Sequence, residues 1–127
     1  MINVRKVTPI LVVDRIEPCL PFWEGQLGYA RVAEVPHEDA LGFVMLVREG
    51  SGVMLQSRAS LAVDLPAIAA KKPSVVLYAD VASIDEALAA MNGPEVIVPR
   101  RTTFYGATEI GVVDPAGNVV LLAESRG

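Results

Sequence analysis

The chain has 127 residues, of which 52% are hydrophobic and 20% charged, with a net charge of −4; that is enough for one domain with a substantial core. The acidic balance excludes the basic stripe that nucleic-acid binding needs, and a single Cys19 excludes an internal disulfide or a cysteine zinc cluster. No segment approaches the ~20 apolar residues that span a bilayer, and no signal-peptide pattern is visible, so a cytoplasmic protein with no membrane or nucleic-acid partner is expected.

Val7 to Val13 is a short, nearly continuous apolar run, as in a strand buried on both faces. Glu17-Pro18 then opens a helix, because proline suits the first helical position. Pro21 should bend it, Leu20, Phe22, Trp23 and Leu27 give it an apolar surface, and Gly25 or Gly28 closes it. Strands are expected at Tyr29–Val35, Leu41–Arg48 and Gly52–Ser57, separated by Pro36-His37-Glu38-Asp39 and by Glu49-Gly50-Ser51. Residues 58–72 read as a linker with a short helical turn.

Ser74–Ala79 starts a second series. Ser83-Ile84-Asp85-Glu86 is a capping box, followed by one buried stripe at Ile84, Ala87, Leu88 and Met91. Strands follow at Glu95–Val98, Ala107–Val113 and Asn118–Ala123, the last two joined by Asp114-Pro115-Ala116-Gly117. Each half therefore reads β-α-β-β-β. The halves also match residue by residue at an offset of 66: Val12-Val13-Asp14 with Tyr78-Ala79-Asp80, Val44–Val47 with Ile110–Val113, and Val53–Gln56 with Val119–Leu122. One register over three segments points to a duplicated unit. The expected organisation is a single domain over 1–127, with unit one at 4–57, a linker at 58–72 and unit two at 73–124.

Val12-Val13-Asp14, Phe22-Trp23-x3-Leu27-Gly28-Tyr29, Tyr105-Gly106, Glu109 and Asp114-Pro115-Ala116-Gly117-Asn118, in this order over nearly the whole chain, resemble the vicinal oxygen chelate superfamily. That group includes glyoxalase I, bleomycin- and fosfomycin-resistance proteins and extradiol dioxygenases. The resemblance implies an α+β fold: two tandem βαβββ units forming a cup-shaped mixed sheet, with helices on the convex face. It also implies a homodimer. In the family, four sheet positions supply metal ligands, and the 66-residue offset places them on Val7, Leu55, Pro73 and Leu121. A one-residue slip brings in Thr8, Gln56, Ser74 and Leu122 instead. Neither set offers the carboxylate, imidazole or thiolate donors that a catalytic metal requires, so no metal and no cofactor is expected.

Other residues carry alternatives. His37, the only histidine, could join Glu34, Glu38 or Asp39 in a surface site, or lie in a solvated loop. Arg100 and Arg101 begin a segment that could clamp an anionic group, with Phe104 or Tyr105 stacking on a ring; a solvated loop is the alternative. Glu109 lies within an apolar strand. Burial could tune it for proton transfer, or Arg100 or Arg101 could neutralise it in a structural role. Phe43 is its repeat mate. Trp23, at the margin of its helix stripe, could line a cleft or face a partner; packing of its helix against the sheet is the favoured alternative.

The favoured reading is a binding protein that holds a small amphipathic or aromatic molecule in an apolar cup floored by Val7, Leu55, Pro73 and Leu121. Arg100, Tyr105 and Glu109 would orient the polar groups of the ligand, with Phe43 and Trp23 as further lining. The alternatives are a metal-dependent lyase, isomerase or dioxygenase, and a non-catalytic structural or regulatory dimer.

Overall fold

The computed structural model describes residues 2–91 and 93–125. It is α+β, with eight strands and short helices. The chain forms two compact units whose borders do not follow the repeat. One unit runs from Pro9 to Val75; the other combines the residues up to Thr8 with those from Val76 onward. Strand β1, Val4–Val13, is continuous and contributes to both.

In the Pro9–Val75 unit, β2 (Ala30–His37), β3 (Ala40–Arg48), β4 (Ser51–Ser57) and β1 lie in that order. β2, β3 and β4 are antiparallel, and β1 runs parallel to β4. Such a parallel pair needs a crossover, which a 3₁₀ turn at Glu17–Cys19 and a wide helical turn at Pro21–Gln26 provide. Ile16, Leu20, Val44, Leu46, Val53 and Leu55 form the core between these turns and the sheet. Each such aliphatic side chain contributes roughly 1.5–3 kcal/mol on full burial. Two short helices, α1 (Arg58–Asp64) and α2 (Pro66–Ala69), occupy the segment after β4, and Ser57 caps α1 by accepting the Ser60 N–H at 3.1 Å.

The other unit repeats the plan with β5 (Val75–Val81), α3 (Ile84–Ala90), β6 (Glu95–Thr102), β7 (Ala107–Val113) and β8 (Val119–Ser125). β5 is parallel to β8, whereas β6, β7 and β8 are antiparallel. Ala79, Val81, Ile84, Ala87, Ile110, Val112 and Leu122 form its helix-side core, with Leu88 and Met91 packed against it. The α3 stripe is therefore the one its spacing dictates. Among the described residues, no helix is long and apolar enough to cross a membrane.

Three elements differ from the sequence expectation in ways that move side chains. First, the Pro21–Gln26 turn is wound with an i→i+5 hydrogen bond, Leu27 N–H to the Phe22 carbonyl at 3.0 Å. A 3.6-residue stripe does not carry over to that spacing. Trp23 accordingly packs on the core, while Phe22 is half exposed.

Second, β6 continues through Arg100 and Arg101 instead of ending at Val98, so both arginines stand on a strand. Third, the repeat offset is not 66 throughout. Val12 lies beside Gln56, yet Tyr78, its mate at 66, lies beside Leu121, which is 65 residues after Gln56. The Glu49–Gly50 turn has two residues, whereas residues 114–118 make a five-residue connection between β7 and β8. Against β5, the last strand is thus one residue out of the 66-residue register. A one-residue shift exchanges the two faces of a strand.

Candidate functional site

The helix-side cores identify the other face of each sheet, because side chains alternate along a strand. Ile110 and Val112 pack toward α3, so Glu109 and Gly111 point away from it. Paired residues on neighbouring strands share a face. Tyr78, Leu121, Gly111 and Val98 therefore form one row, and Asp80, Ala123, Glu109 and Arg101 form the next. Gly111 is needed in the first row: a Cβ there would lie 2.8 Å from both Cβ and Cγ2 of Val98.

A bulge aims the arginine. Val98 pairs with Gly111 and Arg101 with Glu109, so β6 uses one more residue than β7 over this stretch. The intervening residues are Pro99 and Arg100, and proline belongs at such an interruption because it has no N–H for the ladder. Arg101 consequently faces Glu109. Arg100 instead reaches Asp85 of α3, with Nη2 2.6 Å from Oδ1.

Glu109 is 0% exposed. Its Oε1 accepts from Arg101 Nε at 3.3 Å and Nη2 at 3.1 Å; its Oε2 accepts from the Tyr78 hydroxyl at 2.7 Å and from the Tyr105 hydroxyl. A carboxylate offers about four lone-pair positions, and these four donors fill them. Burial pushes the hydroxyls of Tyr78 and Tyr105 well above the ordinary tyrosine range, and the hydrogen bond to the Glu109 carboxylate adds to the shift. Both tyrosines are therefore neutral donors. Beyond this cluster the loop is open: Tyr105 is 54% exposed overall and Phe104 86%, their rings meeting edge to face at 5.0 Å. Asp80, in the same row as Glu109, is held above the usual carboxylate range by burial, which nearby Lys6 and Arg5 partly offset.

The structure thus brings Tyr105, Glu109 and Leu121 onto one face, together with Tyr78 and Arg101. Tyr78 stood out in the sequence only as the repeat mate of Val12, and its alternation with Ala79 and Val81 is the signal that assigns its face. Arg100 is on the opposite face. Leu55, expected on the floor of a cup, points into the helix-side core and is fully buried there. Gln56, which the shifted register makes the counterpart of Leu121, occupies the other face, and its Nε2 donates to Ser60 Oγ at 3.2 Å.

Phe43 shares that face beside Gln56, since it alternates with Val44 and Leu46. Trp23 sits on the helical side, edge to face with Tyr29 at 5.3 Å. Val7 is half exposed on β1, and the Pro73 carbonyl accepts from Arg58 Nη1 at 3.2 Å.

His37 lines a pocket of about 250 Å³ within the Pro9–Val75 unit, with Asp14, Glu17, Glu38 and Asp39. Glu17 is the ordered group there. The Leu41 N–H, 2.7 Å from its Oε2, holds it below the usual carboxylate range. Among the described residues, no three His, Cys, Asp or Glu side chains are grouped so that they could hold a metal ion. Glu109, moreover, has no lone pair left for one. The residues present do not fit the metal that the family resemblance would bring.

No protein-family model and no curated protein matches this chain. Solved structures do. A glyoxalase/bleomycin resistance protein/dioxygenase superfamily member from Vibrio splendidus 12B01 is similar with a TM-score of 0.72 at 22% identity, covering 97% of this chain and 100% of that one. Methylmalonyl-CoA epimerase from Mycobacterium tuberculosis is similar with a TM-score of 0.69 at 16% identity, over 99% and 88% of the two chains. The methylmalonyl-CoA epimerase of Streptomyces coelicolor gives 0.68 at 14% identity, over the full length of both. The chain has the vicinal oxygen chelate fold.

Proposed function

We propose that this chain is a metal-free binding protein for a small amphipathic or aromatic molecule, recognised on the unit-two face where Tyr78, Arg101, Tyr105 and Glu109 meet. The observation that carries this reading is the saturation of Glu109. A general base needs a free lone pair directed at the substrate, and a metal ligand needs one directed at the ion. Glu109 has neither, which suits an anchor that fixes two tyrosines. Phe104 and Tyr105 supply exposed aromatic surface beside that anchor, the combination of apolar walls and few polar groups that ligand sites favour.

An isomerase or lyase is the alternative, since two of the similar structures are methylmalonyl-CoA epimerases. Elemental analysis of protein purified without chelators separates the two. The binding reading expects less than about a tenth of an equivalent of any transition metal, together with saturable binding of aromatic compounds that Tyr105→Ala weakens. One equivalent of metal, or no binding across a broad aromatic panel, overturns it. A homodimer and a cytoplasmic location belong to the same proposal; sedimentation at micromolar concentration tests the first.

A further inference from the structure

In the Pro9–Val75 unit, β2 pairs with β3 alone among the described residues, which leaves its other edge open. Every residue from Val32 to Pro36 is exposed, Val32 at 59% and Val35 at 37%. An open edge is normally blunted by proline, a bulge or charge. β6 carries Pro99 in its interior. The proline of β2 is Pro36, next to the end of the strand, so residues 30–35 all keep their N–H groups. The charges of β2 are of opposite sign, and its bulge sets them side by side. On a regular strand residues 31 and 34 point to opposite faces. The register shift at Val32 brings Arg31 and Glu34 to one face, with Nη1 3.4 Å from Oε1. That contact is long. The rest of the Arg31 fork is held by Glu24, with Nε 2.9 Å from Oε2 and Nη2 3.0 Å from Oε1.

We propose that this edge is where two copies of the chain meet, β2 of one antiparallel to β2 of the other about a two-fold axis between Val32 and Ala33. The inference rests on the homodimer proposed above and names its interface. In a two-fold contact, residue i meets j and j meets i. Arg31 then stands against Glu34 of the second copy, Val32 against Ala33, and Ala30 against Val35. Residues directly opposite on antiparallel strands share a face, so each charge finds its opposite and each apolar side chain another. A shift of one residue either way sets Arg31 against Ala33 or Val35 and leaves Glu34 without a basic partner, so the pattern selects one alignment. A single strand edge is a small contact, below the roughly 1,200 Å² at which standard stable interfaces begin. Association in the micromolar range is therefore expected.

Sedimentation equilibrium of the intact chain at concentrations up to about 100 µM tests this, with far-UV circular dichroism to check that each variant folds. The parent should dimerise. Glu34→Arg sets arginine against arginine across the axis, and Arg31→Glu sets glutamate against glutamate. Each alone should raise the dissociation constant at least about tenfold. Mixed in equal amounts, the two variants should recover dimers, because one chain then brings two arginines and the other two glutamates. Val32→Lys, at an exposed position, should weaken association to a similar degree and keeps the test sound if Arg31→Glu unfolds through the loss of Glu24. A parent dimer that both Glu34→Arg and Val32→Lys leave intact overturns the interface and leaves the dimer standing. Weakening in each charge variant without recovery on mixing overturns the alignment and the inference with it. A parent that is monomeric throughout overturns the dimer as well.

Discussion

Arg101 stands opposite Glu109 because β6 carries one residue more than β7 between Val98 and Arg101. The pair is asymmetric in exposure: the Glu109 side chain is 1% exposed and that of Arg101 28%. Removing Arg101 takes the guanidinium from a buried carboxylate. Arg101→Met should therefore destabilise the fold by about 3 kcal/mol, and Glu109→Leu should also destabilise it, because it takes the shared acceptor from Arg101 and from two tyrosine hydroxyls. The double variant should recover a large part of the loss, because the charges then vanish together. Urea denaturation of the four proteins gives the cycle; strictly additive losses would show that the pair is not coupled.

Gly111 lets Val98 close over the row that contains Tyr78 and Leu121. Gly111→Ala places a methyl group 2.8 Å from Val98 Cβ and Cγ2, an overpacking worth about 1–3 kcal/mol. Adding Val98→Ala should restore at least half of that stability. A single variant as stable as the parent in chemical denaturation would mean that β6 shifts freely.

Asp80 makes stability depend on pH. Its folded pKa is raised above the ordinary 3.8, so the folded chain binds the proton more tightly than the unfolded one. The resulting contribution is complete below pH 3.8 and is lost as pH rises through the folded value. Asp80→Asn should raise Tm at pH 7 relative to the parent, with the difference shrinking toward pH 3.5. Thermal scans across that range would refute the burial account if the gap were constant or reversed.

The start of α3 depends on a residue outside the capping box. Ser83 Oγ accepts the Glu86 N–H at 3.2 Å, and Glu124 Oε1 from β8 accepts the Ile84 N–H at 2.8 Å. Ser83→Ala should cost about 1 kcal/mol. Glu124→Ala should cost about 1–2 kcal/mol by orphaning a helix-start amide, whereas Glu86→Ala should cost far less. Equal losses for the two glutamates in a melting series would favour the reciprocal box instead.

Much of this architecture was legible because it rests on local patterns. Ile84, Ala87, Leu88 and Met91 showed their buried stripe, and the turn residues at Glu49-Gly50 and Asp114–Gly117 marked both hairpins. The site was less legible because face assignment depends on single-residue registers that loop length and bulges decide. Offset matching put Leu55 with Leu121, although the parallel pairings of Val12 with Gln56 and of Tyr78 with Leu121 make Gln56 the counterpart of Leu121. Arg100 and Arg101 read as equivalent neighbours until the bulge sent them to Asp85 and Glu109. Phe22, read as part of the apolar surface of its helix, is half exposed because the turn carrying it is wider than an α-helix. Glu109 was visible as an anomaly in an apolar strand, and its neutralisation by a nearby arginine was one of the two readings its neighbours allowed.

The division of β1 has a consequence for substitutions along it. Thr8 falls in one compact unit and Pro9 in the other, on one unbroken strand. A change that breaks this strand therefore reaches both units at once, and neither can lose its share of β1 without disturbing the strand that serves the other.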